Sequence, residues 1–281
     1  MQTFTFPKRV LTDCAGQQVL CDSYHSAKQY HDCWFKIDWE ILEYMEANLS
    51  AVLLALVHRL KQENNLKFYL DFSHLQGGKN VFWRNGLGHY ICNKVEKPTD
   101  QRESTIPVRA FNIKDVDSFS SYIERDLLRH RGVESVRFHD KEKVKNSYFE
   151  IFSNVDLHAN TSYPVLSCGQ FFPQQKELKF SMIDLGDGFL KGIAGFTKDL
   201  PNPITNGADA IRWAVNGNST KKDAAGGTGL KKIMMYCHKS NSALHIISDG
   251  CYWAYDHGKI ETNNLKNNFA GTIIHLIFRG T

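Results

Sequence analysis

The most constraining feature of this sequence is a set of three short polar motifs that follow one another in a fixed order. They occupy residues 150–159, 184–188 and 226–230. Apolar residues at helical spacing predict a helix over residues 140–160, which contains the first motif. On a neighbouring face of that helix, polar residues recur at every fourth position: Glu150, Asn154 and His158. Their side chains therefore form a row beside the buried stripe, and such a row can face a pocket.

The second motif follows an apolar run over residues 178–184 that predicts a strand ending at Asp184. A carboxylate fixed at the end of a strand can accept a hydrogen bond from the exocyclic amino group of adenine. Gly186 and Gly188 tolerate positive φ angles and close approach of the backbone, so the chain can turn around a bound base. Taken by itself, the motif could also be an ordinary Asp-Gly turn after a strand.

The third motif predicts a binding site for an anion. Its glycines, Gly226, Gly227 and Gly229, flank Thr228 and precede a helix that starts near Leu230. The free N–H groups and the dipole at the start of a helix suit a phosphate group. The motif therefore fits the triphosphate end of a nucleotide.

The same ligand would need a magnesium ion and a group that activates the attacking nucleophile. Magnesium keeps several waters, so one side-chain oxygen, that of Asn154, can suffice as a protein ligand. Glu150, one helical turn earlier, can orient or deprotonate a water or hydroxyl. Lys231 and Lys232 either add positive charge near the phosphates or face solvent.

A long segment, residues 189–225, separates the second motif from the third. It is rich in Gly, Pro, Asn and Ser, and only residues 208–215 have a helical pattern. Gly192 and Gly195 offer hinges. The segment therefore predicts a lid that closes over the nucleotide.

The chain is long enough for two domains at 281 residues. A polar stretch at 93–104 has no apolar periodicity and is typical of a linker. We therefore predict one domain over residues 1–103 and another over residues 104–281. In the first, a strand, a helix and a strand predict a small α/β layer with a parallel pair. These elements are predicted at residues 33–38, 48–62 and 66–72.

The second predicted domain has helices followed by strands, which indicates the α+β class, with helices on one face of a sheet in an α/β sandwich. Helices are predicted at 115–129 and 140–160, and strands at 178–184, 243–248 and 272–278. The stretches 171–177 and 250–268 are predicted to be turns or irregular hairpins.

Composition limits the classes of function. The mean hydropathy is −0.39 and no apolar run is long enough to cross a membrane, so no membrane association is expected. A net charge of +4, with dispersed lysines and arginines, gives little support for a nucleic-acid partner. Seven cysteines without a Cys-x-x-Cys pair, and no signal-peptide pattern, predict a cytoplasmic protein with reduced thiols. Residues crowded near the N-terminus could bind zinc or simply pack: Cys14, Cys21, His25, His31 and Cys33.

Together the three motifs resemble those of the ATP-binding domain shared by DNA gyrase, Hsp90, sensor histidine kinases and the mismatch-repair protein MutL, the GHKL family. The pattern Glu-x-x-x-Asn-x-x-x-His-Ala is met at 150–159, Asp-x-Gly-x-Gly at 184–188, and Gly-x-Gly-Leu at 227–230. The resemblance runs from about residue 106 to the end of the chain. Within the family, the anti-sigma-factor serine kinases are most similar.

The resemblance implies a Bergerat-type α/β sandwich that binds Mg-ATP. It implies that Asn154 binds magnesium, that Asp184 binds the adenine amino group, and that Glu150 acts as the catalytic base. In this family a histidine at the position of His158 lines the nucleotide site, and no phosphoacceptor hairpin is recognisable upstream, so we do not expect a two-component sensor kinase. The other nucleotide-binding positions implied are Gly186, Gly188, Gly226, Gly227, Thr228, Gly229 and Leu230.

The first predicted domain resembles, more loosely, a STAS domain, the fold of anti-anti-sigma factors. Residues 45–51 would open its helix, and residues 82–87 are similar to a segment of STAS-like proteins joined to such ATPases. A STAS domain usually carries hydroxyls at this junction that the partner kinase phosphorylates. Here Ala47 and Asn48 replace them. Ser50 is the nearest hydroxyl, either as an acceptor or as an ordinary helix-start residue.

These resemblances predict a Mg-ATP-binding regulatory switch with slow ATP hydrolysis or serine-kinase activity directed at a partner protein. Such a protein could form a homodimer. The alternative is a nucleotide-gated protein-binding module without significant turnover, which could belong to a bacterial stress or phage-defence operon. The intact Glu150 favours an enzyme, whereas the lost STAS hydroxyls favour a binding module.

Overall fold

The structure, a computed structural model, describes residues 2–71, 77–92, 99–136, 140–220 and 228–280. It is a mixture of helices and strands with a large antiparallel sheet, which confirms the α+β class. In the described ranges, no helix combines the length and the apolar character needed to cross a membrane.

The described strands assemble into sheets of seven, three and two strands. They are β1 (Gln2–Thr5), β2 (Arg9–Val10), β3 (Trp34–Asp38), β4 (Tyr44–Met45), β5 (Lys67–Leu70), β6 (Thr105–Phe111), β7 (Val165–Phe172), β8 (Glu177–Asp184), β9 (Ala243–Ser248), β10 (Cys251–Asp256), β11 (Lys259–Asn264) and β12 (Thr272–Arg279). The main sheet has the order β11-β10-β9-β12-β8-β7-β6 and is antiparallel throughout. The small sheet, β1-β3-β5, is parallel.

Helices cover both faces of the main sheet. They are α1 (Cys14–Ala27), α2 (Ser50–Asn64), α3 (Val81–Arg84), α4 (Leu87–Ile91), α5 (Val116–Tyr122), α6 (Arg131–Ser135), α7 (Lys141–His158), α8 (Leu190–Thr197), α9 (Gly207–Val215) and α10 (Gly229–Ser240). Single turns of 3₁₀ helix occupy Ala47–Leu49 and Gly77–Asn80, and a π-helical turn follows α5 at Ile123–Leu127.

Side-chain alternation along the strands of the main sheet separates two hydrophobic cores. On β8, Phe180 and Met182 belong to the core that also contains residues of α5, α7, α9 and α10. Ile183 belongs to the other core, together with Leu53 of α2 and Leu20 of α1. We call the side of the sheet toward α5–α10 the front face, and the side toward α1 and α2 the back face.

Helix α2 lies between the small sheet and the back face. Its residues from Ser50 to Val57 are all buried, because a helix enclosed by two sheets needs apolar residues all round. It ends at Asn65, whose left-handed conformation closes the last turn. The predicted helix at 48–62 and the parallel pairing of β3 with β5 are therefore confirmed.

Several predicted elements need correction. The stretch 250–268 is not irregular: β10 and β11 form a regular antiparallel hairpin within it. The prediction missed β11 because its side chains are mostly exposed and polar, so no apolar alternation marks it. The helix predicted at 115–129 instead changes to a π-helical turn at Ile123. Elements absent from the prediction are α1, α3, α4, α6, α8, β1, β2, β4, β6 and β7.

Residues of both predicted domains form the hydrophobic core on the back face. The hydrophobic cluster on the back face contains Leu53 and Phe82 from the first predicted domain and Leu166 and Ile273 from the second. The domain boundary between residues 103 and 104 stays a prediction. The first predicted domain packs against the back face of the main sheet, and the strands of that sheet belong to the second predicted domain.

Candidate functional site

A cavity opens on the front face, where the ends of β8 and β12 meet helices α7, α8, α9 and the first turn of α10. Its lining includes four residues of the sequence-predicted site, which come from all three motifs: Asn154, Asp184, Gly188 and Leu230. Elsewhere the wall is largely apolar, with Ile151, Val155, Ile193, Trp213 and Ile274. The cavity can therefore enclose a flat apolar group and offer it a carboxylate.

Asp184 is a buried carboxylate in the cavity wall. It is the last residue of β8, and its Oδ1 accepts a hydrogen bond from the Gly186 N–H at 2.9 Å. Burial raises the pKa of its carboxyl to about 6, against the opposing effects of the Gly186 N–H and the Thr272 hydroxyl. The nearby charge of Asp249 adds to the rise. Near neutral pH this carboxylate is ionised and accepts hydrogen bonds, and it gains a proton only slightly below that pH.

The two glycines of the second motif are required for different structural reasons. A Cβ on Gly186 would lie 2.3 Å from the carbonyl oxygen of Ala159, at the end of α7. Gly188 has a φ of +76°, and a Cβ there would lie 2.7 Å from the Asp249 carboxylate. Only Gly188 therefore uses positive φ, whereas Gly186 and Ala159 let the turn pack directly against α7.

Helix α7 brings the first motif to the cavity, but its residues are not equivalent. Asn154 lines the cavity together with Val155 on the same helix. His158 is the last residue of α7, and its side chain lies outside the described part of the structure. The predicted row of polar residues therefore reaches the cavity at Asn154.

Glu150 points away from this cavity, toward the start of α10. Its carboxylate accepts hydrogen bonds from the backbone N–H and the hydroxyl of Thr228, and Lys232 Nζ lies 3.2 Å from it. Although partial burial opposes the change, these donors lower the pKa of the Glu150 carboxyl. Glu150 is thus an ionised cap on α10 and does not line the cavity.

The third motif is described only from Thr228 onward, because Gly226 and Gly227 fall outside the described residues. Gly229 begins α10 and packs closely on α7: a Cβ there would lie 3.1 Å from the Ser147 carbonyl oxygen. Leu230 reaches the cavity wall.

The two lysines that follow have different surroundings. The stem of Lys231 lies over Gly217, which has a φ of +85° after the end of α9. Lys232 forms the ion pair with Glu150 and is still 43% exposed. Positive charge is therefore present beside the start of α10, and it is paired with Glu150.

The segment predicted to be a lid contains two helices beside the cavity. Gly192 and Gly195 lie inside α8, a helix that the sequence pattern did not predict, and their role as hinges stays a prediction. Distant residues stabilise this helix: the N–H groups of Phe189 and Leu190 donate to Asp249. Helix α9 confirms the helical pattern at 208–215. Residues 221–225 of this segment lie outside the described ranges.

Sequence reasoning did not assign Ser219, Thr220 and Thr272 to the cavity lining, and it did not identify Asp249, which lies behind the cavity. Thr272 begins β12 and lines the cavity beside Asp184. Asp249 and Gly250 have φ angles of 53° and 73° and join β9 to β10 in a tight turn. The dipeptide Asp-Gly between two apolar runs is a strong hairpin signal and could have located this turn.

The junction that resembles a STAS acceptor site is sealed on the back face. Ser50 is fully buried, and its hydroxyl accepts a hydrogen bond from Asn85 Nδ2 at 2.8 Å. Asn48 is also fully buried and contacts Ser181 of β8. In this arrangement Ser50 is a helix-start residue that no kinase site can reach.

Among the described residues, no group of three or more His, Cys, Asp or Glu side chains is placed to hold a metal ion. Of the N-terminal cysteines, Cys21 is buried in α1, where burial raises the pKa of its thiol to about 12. Cys14 and Cys33 are partly buried. No protein-family model matches the chain, and no curated protein matches it in sequence.

Proposed function

We propose that this chain binds Mg-ATP in the front-face cavity as a regulatory switch, with slow hydrolysis or serine-kinase activity directed at a partner protein. The observation that carries the proposal is the meeting of Asn154, Asp184 and Leu230 at one cavity, although they lie far apart in sequence. The helix-covered antiparallel sheet is compatible with a Bergerat-type fold, as the small parallel sheet is with a STAS-like one. Both assignments belong to the proposal.

The cavity residues fit an adenine ring. Ionised Asp184 can accept a hydrogen bond from an exocyclic amino group, while Ile151 and Ile274 offer apolar contact to the faces of a base. The Thr272 hydroxyl donates its hydrogen bond to the Asp184 carboxylate and so helps to orient that acceptor toward the cavity. A guanine in the same orientation would present a carbonyl oxygen to the carboxylate, so the site favours adenine.

The residues also fit a single magnesium ion shared with phosphates. Asn154 lies one turn after Glu150 on α7 and supplies the kind of oxygen ligand that magnesium accepts. Magnesium would neutralise phosphate charge, which is most of what phosphoryl transfer requires. The positive start of α10 lies at the Leu230 end of the cavity.

One observation favours the alternative, a nucleotide-gated binding module without significant turnover. Glu150 is engaged by Thr228 and Lys232, and its lowered pKa makes it a weak proton acceptor. To act as a base it would have to leave these partners. Burial of Ser50 removes the nearest acceptor hydroxyl that the STAS resemblance offers within this chain.

Calorimetry tests the binding proposal directly. Wild-type protein is expected to bind ATP, and Asn154→Ala is expected to abolish the dependence of that binding on magnesium while adenosine still binds. Asn264→Ala, which removes an exposed amide from the edge strand β11, is a matched control and should behave as wild type. The absence of ATP binding, or magnesium dependence that persists in Asn154→Ala, would contradict the proposal.

Turnover separates the enzyme from the binding module. Labelled ATP is incubated with the protein and a cell lysate, and label is followed as free phosphate, on this chain or on another protein. If Glu150 is the base, Glu150→Gln should reduce label release by about 100-fold or more. If the chain only binds ATP, wild type and Glu150→Gln should release or transfer no more label than the lysate does alone.

A further inference from the structure

The turn between β9 and β10 contacts the starts of α8 and α9, two of the helices that line the cavity. Its Asp249 Oδ2 accepts hydrogen bonds from the N–H groups of Phe189 and Leu190, at 2.9 and 3.0 Å, and so caps the first turn of α8. A Cβ on Gly207, the first residue of α9, would lie 2.8 Å from the Asp249 carbonyl oxygen. Helix α9 therefore starts in direct contact with the same turn.

The same carboxylate is also close to Asp184. Ser248 donates its hydroxyl hydrogen to Asp249 Oδ2 at 2.7 Å, and its Oγ lies 3.4 Å from Thr272 Oγ1. The Thr272 hydroxyl in turn hydrogen-bonds the Asp184 carboxylate. Two hydroxyls thus separate two carboxylates, one at the cavity and one behind it.

We propose that Asp249 is a positioning residue of this cavity, which fixes the first turn of α8 to the end of the sheet and sets the charge environment of Asp184. A cap made by a distant strand turn is needed because α8 has no side-chain cap of its own at Phe189. Removal of the Asp249 charge would favour the ionised form of Asp184, since like charges oppose one another's ionisation.

Among the described residues near Asp184, Asp249 is the charged group that shifts the pKa of its carboxyl. Asp187 lies in the same turn as Asp184, but its carboxylate forms an ion pair of its own and is not among the groups that shift the pKa of Asp184. Glu150, on α7, is turned toward α10. The side chain of His158 is outside the described residues. The neutral groups at the cavity end of these elements are Asn154, Ala159 and Thr272.

The charge effect is tested without any ligand. Carbon-13 chemical shifts of the aspartate side chains are followed from pH 4 to 8, with Asp184→Asn used to assign the Asp184 signal. Asp249→Asn keeps an acceptor for the two N–H groups and removes the charge, so the Asp184 midpoint should move to lower pH by about 0.5. Asp187→Asn, the matched control, should leave it in place. An unchanged midpoint in Asp249→Asn, or an equal shift in Asp187→Asn, overturns the inference.

The positioning effect is tested with adenosine as the probe, and only this part rests on the proposed function. Asp249→Gly removes the cap without straining the backbone, whose φ here is 53°, and should weaken adenosine binding by about fivefold at pH 7. Asp249→Asn should bind nearly as wild type and retain binding to lower pH. If Asp249→Gly binds adenosine as tightly as wild type, positioning is refuted. If wild type binds no adenosine, the proposed function fails, while the chemical-shift titration still decides the role of Asp249.

A folding defect would not obscure the result. Asp249→Ser keeps a hydroxyl acceptor for the start of α8 without the charge, and serves as the second variant if Asp249→Asn does not fold. The same downward shift of the Asp184 midpoint is expected. Circular dichroism of each variant confirms that the comparison is made between folded proteins.

Discussion

The two faces of the main sheet are built from the same strands but use polar groups in opposite ways. On the back face, Asn48 Nδ2 donates to Ser181 Oγ at 3.0 Å and to Thr12 Oγ1 at 2.9 Å, and Ser181 Oγ lies 2.7 Å from His275 Nδ1. These groups satisfy one another across the interface with α1 and α2. On the front face, Asp184 stands beside a cavity. Matched polar groups hold two layers together, whereas a carboxylate beside a cavity can receive a ligand.

Along β8 and β12, a residue that lines the cavity is followed or preceded directly by one that packs into the back core. On β8, Ile183 packs into the back core and Asp184 faces the cavity; on β12, Thr272 lines the cavity and Ile273 packs behind it. Because side chains alternate, a substitution can change one face and spare the other. The comparison therefore predicts that ligand binding and folding stability can be altered separately.

The largest expected effect is on the front face. Asp184→Asn keeps the shape of the side chain but replaces an ionised acceptor by an amide, and it should weaken adenosine binding by about 100-fold. The free energy of unfolding should fall little, because a carboxylate whose pKa is raised by burial contributes poorly to stability. Calorimetry and urea unfolding measure the two quantities. A large loss of stability with unchanged binding would make Asp184 a structural residue.

The second largest effect is expected on the back face, where a substitution should lower the free energy of unfolding and leave adenosine binding unchanged. Glu46 pairs with Lys179 of β8 at 2.8 Å, and the two side chains are 8% and 13% exposed. Glu46→Ala leaves the lysine buried without this partner and should lower the free energy of unfolding by about 2–3 kcal/mol, with adenosine binding retained. Urea unfolding measures the loss.

An exposed ion pair of nearly the same length provides the control. Glu43 lies 2.7 Å from Lys8, and their side chains are 61% and 71% exposed. Glu43→Ala should leave the unfolding transition unchanged, because solvent screens exposed pairs. Equal effects of the Glu43 and Glu46 substitutions would refute the view of the back face as a sealed polar interface.

Acidification should sharpen the contrast between the faces. Burial lowers the pKa of His245 to about 4, and it lowers that of His275 as well. Because an unfolded histidine titrates near 6.5, the unfolded chain binds more protons between pH 6.5 and 4, and stability falls as pH falls through this range. His245 alone should contribute about 2 kcal/mol of loss at pH 5. Asp184, with its raised pKa, acts in the opposite direction below pH 6.

Urea unfolding at pH 7 and pH 5 checks this prediction. His245→Gln keeps a polar group near the Thr12 carbonyl oxygen and the Tyr252 hydroxyl, which His245 contacts at 3.1 Å each. It should reduce the difference in stability between the two pH values. The same pH dependence in wild type and variant would show that His245 is not its source.

Local pattern accounts for what the sequence predicted of the site. Asn154 and Asp184 were predicted because one lies on a periodic helix and the other at the end of an apolar strand, and in the structure both line the cavity. What was missed depends on pairing between distant segments. The cap on α8 exists only after β9 and β10 bring Asp249 beside Phe189, 60 positions away in sequence. No local pattern carries that information.

The N-terminal layer shows the same limit. Ser50 and Asn48 have no sequence property that places them against β7 and β8, and only the packed structure buries them. Helix α1 was missed because Gly16 lies in its first turn, where close contact requires a glycine: a Cβ there would lie 2.0 Å from the Leu11 carbonyl oxygen. Helix propensity alone disfavours a glycine at this position, but the close tertiary contact leaves no room for a larger residue.

The smallest expected effect concerns the glycines of α8 and asks whether this front-face wall is a hinge or a helix. A Cβ on Gly195 would meet nothing within 4 Å, and its position is helical. Gly195→Ala should therefore raise the free energy of unfolding by about 0.5–1 kcal/mol and leave adenosine binding unchanged. Gly188→Ala is the contrasting variant and should destabilise, because its φ is +76°. Thermal unfolding measures both. Weaker adenosine binding in Gly195→Ala without loss of stability would support a hinge at this position. Binding would then require a flexible α8, and a fixed helix capped by Asp249 would not explain it.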